Sequence, residues 1–312
     1  MHNRILVLGG NGMVGNAVKG RFRERNPGAQ LSAPTRADLD LTNANEIHEY
    51  FRRYSFDLVI HCAGKVGGIQ ANVSNPTSFL YENCALALNV IHAAATAGVK
   101  NFIYLGSSCM YPRDYKTPLL EEYLLAAPLE PTNEGYALAK IVGGKLCEYY
   151  HRQFGVNYKT IIPCNLFGAN DKFDPSHSHL VPSVIKKLHE AARDKVSQVQ
   201  IWGDGSARRE FLYVADLADF MVTISDRLHE VPSYLNVGFG SDFSVLDYHK
   251  MIADVVGYAG GFTFDLGKPT GMLRKLLDSE QAHRLGWKPP TPMRDALQRT
   301  YEYYLTIAHQ FA

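Results

Sequence analysis

Along the first half of the chain, short continuous apolar runs alternate with longer amphipathic stretches. The runs are Ile5 to Leu8, Leu58 to Ile60, Phe102 to Leu105 and Thr160 to Ile162. Between them, near Met13 to Arg25, Ala44 to Arg53, Thr77 to Ala97 and Tyr136 to Phe154, apolar residues recur at helical spacing. A strand that is apolar at every position leaves no face for water, so these runs predict a parallel sheet covered by helices on both sides. The expected fold class is α/β: a Rossmann-type, doubly wound parallel sheet. Such sheets take their ligands at the carboxyl ends of the strands.

Past Pro163 the texture changes. "CNLFGANDKFDPSHSHLVP" is polar and rich in turn residues, and a helix is predicted over Val181 to Ala192. Strand-like pieces follow at Val199 to Trp202, Phe211 to Val214, Tyr234 to Val237 and Phe262 to Phe264, with Ser244 placed to cap a helix over Val245 to Val256. The expected division is a cofactor-binding domain over 1–163, with return segments near 211–238. A smaller α/β substrate-binding lobe is expected over about 164–210 and 239–312.

Composition narrows the class. Hydrophobic residues at 46% and charged residues at 20% are ordinary for a globular protein, and 32 basic side chains nearly balance 31 acidic ones. That balance leaves no broad nucleic-acid footprint but permits a local basic patch for a phosphorylated ligand. The five cysteines are odd in number and form no CxxC pair, which suits reduced thiols. "MHNRILVLGG" carries only a four-residue apolar run, too short for a signal peptide or a membrane span, so a cytoplasmic protein without a membrane partner is expected.

Two local patterns carry chemistry. "LVLGGNGMVG" puts Gly9, Gly12 and Gly15 between the first strand and the first helix, with Met13 and Val14 inside the pattern. Glycines there let backbone approach a pyrophosphate, which a helix N-terminus favours. After the expected second strand the chain offers Thr35 and Arg36 rather than an early carboxylate. An arginine suits a ribose 2′-phosphate, so NADP(H) is expected, with Asp40 and Leu41 near the adenine. The second pattern, "EGYALAKIVG", sets Tyr136 and Lys140 on one helix face, where an ammonium favours the phenolate. Ser107, in "LGSSCMYP" at the end of the third run, is a plausible donor to a carbonyl oxygen.

Ser107, Tyr136 and Lys140 together resemble the Ser-Tyr-Lys constellation of the extended short-chain dehydrogenases/reductases. Longer stretches narrow the likeness: "AGKVGGIQAN", "LGSSCMYP", "LEPTNEGYALAK", "SHSHLVP", "IWGDGSARREFLYVADLA" and "KPTGMLRKLLD". They occur in the order and spacing of the GDP-L-fucose synthase family, from Ile5 to at least Trp287. That resemblance implies an enzyme that epimerises GDP-4-keto-6-deoxy-D-mannose at C3 and C5 and reduces the C4 ketone with NADPH. It implies Tyr136 as proton donor, Cys109 as base and His179 as acid, while His177 is equally titratable two residues away. Asn165 is assigned to sugar and cofactor, His179 to the cofactor as well, and Lys140 to the nicotinamide ribose. Trp202 either walls the guanine or belongs to the core. Arg209 and Lys275 are the expected pyrophosphate partners, with Lys187 a third, and Arg208 and Arg274 stand as adjacent alternatives.

The family's four-helix dimer interface would fall on the stretches Thr77 to Ala97 and Tyr136 to Phe154. Two positions depart from the family pattern: Asn11, where some members carry arginine, and Thr270, where aspartate is common. A GDP-colitose synthase is the nearest alternative. A 4,6-dehydratase of this fold would hold a carboxylate at Cys109, and the thiol there speaks against it.

Overall fold

A computed structural model describes residues 2–174, 178–268 and 272–310. Strand β1 (Arg4–Leu8) leads to helix α1 (Met13–Arg25), β2 (Gln30–Ser32) to α2 (Ala44–Arg53), and β3 (Leu58–His61) to α3 (Ile69–Ser74) and α4 (Pro76–Thr96). Then come β4 (Asn101–Leu105), α5 (Glu134–Phe154), β5 (Asn157–Pro163), β6 (Asn165–Phe167), α6 (Leu180–Arg193) and β7 (Gln198–Trp202). The remainder is β8 (Arg208–Arg209), β9 (Phe211–Tyr213), α7 (Val214–Ser225), β10 (Tyr234–Val237), β11 (Phe243–Ser244), α8 (Val245–Val256), β12 (Gly261–Asp265), β13 (Arg274–Lys275), α9 (Glu280–Arg284) and α10 (Met293–Ile307).

Six strands form one parallel sheet in the order β10-β5-β4-β3-β1-β2. The chain leaves β1 for β2 on one side and returns to β3 on the other, so the order reverses between β1 and β3. In sheets of this kind such a switch point marks the ligand crevice, beyond the strands' carboxyl ends. The near-continuous apolar strands are buried on both faces as their sequences require: one core gathers Ile5, Val7, Ile60 and Ile161 under α1 and α7, the other Leu6, Val59, Phe102 and Tyr158 under α4 and α5.

The second half folds back in part. Strand β10 completes the large sheet, and α7 lies along α1. The stretch 277–287, grouped with the smaller lobe in the sequence, packs into the first core through Leu277, Ala282 and Trp287. Its apolar side chains are drawn there because the backbone of Leu119 bonds both Leu276 and Asp278. A third core, with Phe167, Ile185, Tyr248 and Leu297, holds the smaller lobe together, and α10 supplies part of it. Helix α8 starts as its sequence indicates: Ser244 and Asp247 form a reciprocal capping box, and Gly257 ends the helix in the left-handed region at φ 80°.

Candidate active site

The turn after β1 is shaped for a phosphate. Gly9 has a φ of +79°, and a Cβ there would sit 2.6 Å from the Ala63 nitrogen; a Cβ at Gly15 would sit 2.2 Å from the Gly9 carbonyl oxygen. Neither position admits a side chain, so backbone alone lines the approach to α1. Gly12 is the N-cap and gives α1 no side-chain cap, and the first turn, beginning Met13-Val14, carries no acid. Its amides and dipole are left for an anion. Arg36 is exposed beyond β2, and its charge reaches both Asp40 and Glu82. Asp40 uses Oδ1 within its own turn, accepting from the Thr42 amide at 2.9 Å and hydroxyl at 2.8 Å, and these bonds hold its carboxyl below the usual range. Leu41 is tied to α4 by Asn89, which donates to its carbonyl at 3.5 Å. The asparagine at position 11 offers the cradle no charge; its carbonyl accepts from Asn16.

Two elements supply the candidate catalytic cluster. Strand β4 ends at Leu105, and Ser107 caps a one-turn helix, Ser108–Met110, by accepting from the Cys109 amide at 3.2 Å. That turn leaves the Cys109 thiol half-buried beside Ser107. From α5, Tyr136 and Lys140 share one face as their spacing requires. The Lys140 ammonium is buried. It donates to the Leu105 carbonyl at 2.8 Å and lies 4.9 Å from the Tyr104 ring centroid. Burial lowers its pKa to about 8.

One expectation is corrected. The sequence pairs Lys140 with Tyr136 to lower the phenol, yet Tyr136 is raised above its ordinary value: burial dominates, Cys109 adds to it, and the Ser107 hydrogen bond only partly opposes them. Lys140 lies 5.9 Å from the Tyr136 ring centroid, with its ammonium spent on Leu105. Tyr136 is therefore a protonated phenol across the neutral range, the state a proton donor needs.

The thiol has two partners the spacing did not announce. Asn133, just before α5, donates to Cys109 Sγ at 3.2 Å, and the Lys275 ammonium approaches it at 3.8 Å. Asn133 stands inside "LEPTNEGYALAK", so the stretch was visible but its contact was not. His179 occupies the N-cap of α6, where Pro182 fits the first turn because that turn needs no donor. Its side chain does not cap and is exposed; partial loss of water around the ring and then the Lys172 charge lower its pKa. Among the described residues no hydrogen bond ties His179 to Cys109 or Tyr136. His177 and Thr270 lie outside the described residues.

Across the crevice a small sheet runs β11-β8-β13, and its register sorts the four cations into two pairs. Arg208 pairs with Arg274 and Arg209 with Lys275. Side chains alternate across a sheet, so the first two share one face and the last two the other. Arg208 and Arg274 both grip buried Asp242, at 3.0 and 2.5 Å. Burial works to raise that carboxyl, but the two guanidiniums hold it low. Lys275 turns instead to Cys109, and Arg209 reaches the Arg208 and Met272 carbonyls at 2.8 and 2.6 Å.

Behind them Glu210 is buried, accepting from the Gly240 and Leu277 amides, and burial raises it to about 7. Asn165 is half-buried and donates to the Glu210 carbonyl at 3.0 Å. Trp202 is no core residue: it is 60% exposed on the edge of β7, with the Lys268 ammonium 5.5 Å from its ring. Lys187 reaches the same strand and donates to the Gln200 carbonyl.

Residues 5–238 match the model of the NAD dependent epimerase/dehydratase family. The chain is 46% identical over 304 residues to a GDP-L-fucose synthase from Azorhizobium caulinodans, covering 97% of this chain and 96% of that one. It is 43% identical to a GDP-L-colitose synthase from Yersinia pseudotuberculosis, with 97% and 98% covered. Among solved structures, a GDP-mannoheptose C4 reductase from Campylobacter jejuni with NADP bound superposes at a TM-score of 0.88, with 31% identity and 97% and 98% covered.

Proposed function

This chain belongs to the NAD-dependent epimerase/dehydratase family and, within it, to the GDP-L-fucose synthase group, and we propose from that premise that it converts GDP-4-keto-6-deoxy-D-mannose to GDP-L-fucose. The observation that carries the reading is the Cys109 thiol, set beside Ser107 and Tyr136 and contacted by Asn133 and Lys275. Bound NADPH supplies the hydride for the ketone, and the cradle of Gly9, Gly12 and Gly15, with Met13, Val14, Arg36, Asp40 and Leu41 around it, is the seat that fits it.

The chain's own residues supply the proton chemistry. Hydrogens at C3 and C5 are α to the C4 ketone, so removing either leaves an enolate with its charge on the C4 oxygen. Ser107 and Tyr136 would donate to that oxygen, where donors count most because charge develops there. Cys109 takes the proton on one face, and His179 returns one on the other, so that each centre is inverted. Once C3 and C5 are inverted, Tyr136 gives its phenolic proton to the C4 oxygen. Lys140 holds its ammonium behind it.

Arg209 and Lys275 face the pyrophosphate, Asn165 the sugar, Trp202 the guanine, and Lys187 supports the strand that carries the indole. The exposed apolar side chains Leu80, Tyr81 and Leu88 of α4 and Leu138, Val142 and Tyr149 of α5 form the face on which two copies would pair as a homodimer. No helix among the described residues is long and apolar enough to cross a membrane.

The test is incubation with GDP-4-keto-6-deoxy-D-mannose and NADPH in deuterated water. NADPH oxidation with deuterium at both C3 and C5 supports the reading. Label at C5 alone would favour a colitose-type synthase, the reading the 43% identical relative supports. Oxidation without label would leave a plain ketoreductase.

A further inference from the structure

Helix α4 closes one face on a single residue of the loop between β3 and α3. Ser78, Phe79, Glu82 and Asn83 lie at successive i, i+1, i+4 and i+5 positions, and all four touch Lys65. Its ammonium donates to Glu82 at 2.6 Å and to the Ser78 hydroxyl, and lies 5.8 Å from the Phe79 ring centroid. Its backbone is held by one side-chain amide: the Lys65 N–H donates to Asn83 Oδ1 at 2.8 Å, and Asn83 Nδ2 donates to the Lys65 carbonyl at 3.0 Å and to that of Phe79 at 2.8 Å. Asn83 is 3% exposed, and its bonds match the pairing a neighbouring strand would offer. Such a buried amide is costly to leave unpaired, so its bonds fix the loop firmly.

The same loop touches both halves of the chemistry. Ala63 lies under Gly9, where a Cβ would come within 2.6 Å of its nitrogen. A Cβ on Gly64 would stand 3.2 Å from Asn83 Oδ1 and 3.6 Å from the Lys140 ammonium. The loop is thus a spacer between the phosphate turn and the catalytic lysine, and Asn83 sets its height.

We propose that Asn83 is a positioning residue for this reaction, acting through the Lys65 backbone to hold the 62–68 loop between the Gly9 turn and Lys140. The proposal rests on the functional reading above. It is tested by measuring NADPH affinity through fluorescence quenching, and the NADPH KM, kcat and pH profile with GDP-4-keto-6-deoxy-D-mannose. Asn83→Ala should weaken NADPH binding about tenfold and lower kcat roughly ten- to a hundredfold, as small displacements of reacting groups do. Asn83→Asp keeps the acceptor for the Lys65 amide, loses both donated bonds and brings a carboxylate toward Lys140. It should show the same losses with the alkaline limb moved upward, and it decides the matter where Asn83→Ala does not fold. Ser78→Ala, whose hydroxyl meets only the Lys65 ammonium and the Glu82 carboxylate and neither backbone bond of Lys65, should change none of these quantities. Folded Asn83→Ala and Asn83→Asp proteins with wild-type affinity, kcat and limb, altered only in thermal stability, would overturn the proposal. A wild-type protein that binds no NADPH would remove the functional reading, and this proposal with it.

Discussion

On the sheet side of the crevice, Ser107, Tyr136 and Lys140 come from the end of one strand and the first turns of one helix, so spacing along the chain already gathers the last two. On the opposite side, Arg209 and Lys275 come from β8 and β13, strands far apart in sequence and joined only by their register. The first wall is built from local geometry, the second from pairing. Local geometry is tolerant of what surrounds it, whereas a paired strip depends on the buried carboxylate behind it. Asp242 anchors Arg208 and Arg274 on the rear face and thereby commits Arg209 and Lys275 to the front.

That contrast can be broken in graded steps. Tyr136→Phe removes the proton donor without touching the fold, and should lower reduction by about 10²–10⁴-fold, measured as NADPH oxidation under saturating substrate. Arg209→Met should leave kcat nearly intact and raise the KM for the nucleotide sugar, by roughly ten- to a hundredfold if a charge-assisted bond to the pyrophosphate is lost. Arg274→Met, one residue from Lys275, should do far less to KM; equal effects from the two arginines would dissolve the distinction between front and rear faces.

The pH dependence of reduction sharpens the comparison. Lys140 is an ammonium below its folded value of about 8 and loses that charge above it, so kcat should be level below pH 8 and fall as pH rises through it. A profile flat to pH 10 would detach Lys140 from the rate. For Glu210 the sign runs otherwise. Its folded pKa of about 7 lies above the ordinary carboxylate value of 4.5, so its contribution to stability is full below pH 4.5 and is lost as pH rises through 7. Glu210→Gln should flatten that part of the stability profile, seen as a smaller difference in melting temperature between pH 5 and pH 8 than the wild type gives. Asp242→Asn, with both arginines half-open to solvent, should cost about 1–3 kcal/mol in denaturant unfolding, with a modest rise in KM.

Most of the sheet was legible because its strands are apolar at every position and its helices carry a clear period: α1 and α2 begin and end where the pattern places them. The short strands β6, β8, β11 and β13 were not, since two or three residues cannot display a period and owe their state to partners. Within the site, Gly9, Gly15, Tyr136 and Lys140 were readable from spacing. Which face Arg208 and Arg209 each take was not, because it depends on strand pairing and on Asp242. The direction of the Tyr136 shift also escaped, since Lys140 bonds Leu105, a partner no motif names. Trp202 could not be told from a core residue until β7 proved to have an open face.

The central claim is that Cys109 performs the carbon-acid step on the wall that Ser107 and Tyr136 otherwise devote to reduction. Its most direct test is the rate of deuterium entry at C3 and C5 of GDP-4-keto-6-deoxy-D-mannose catalysed by Cys109→Ser, with NADPH affinity measured on the same protein. A folded variant that binds NADPH as the wild type does but exchanges at least about 10²-fold more slowly is the predicted result. Exchange at the wild-type rate would contradict it, and return Cys109 to a packing role.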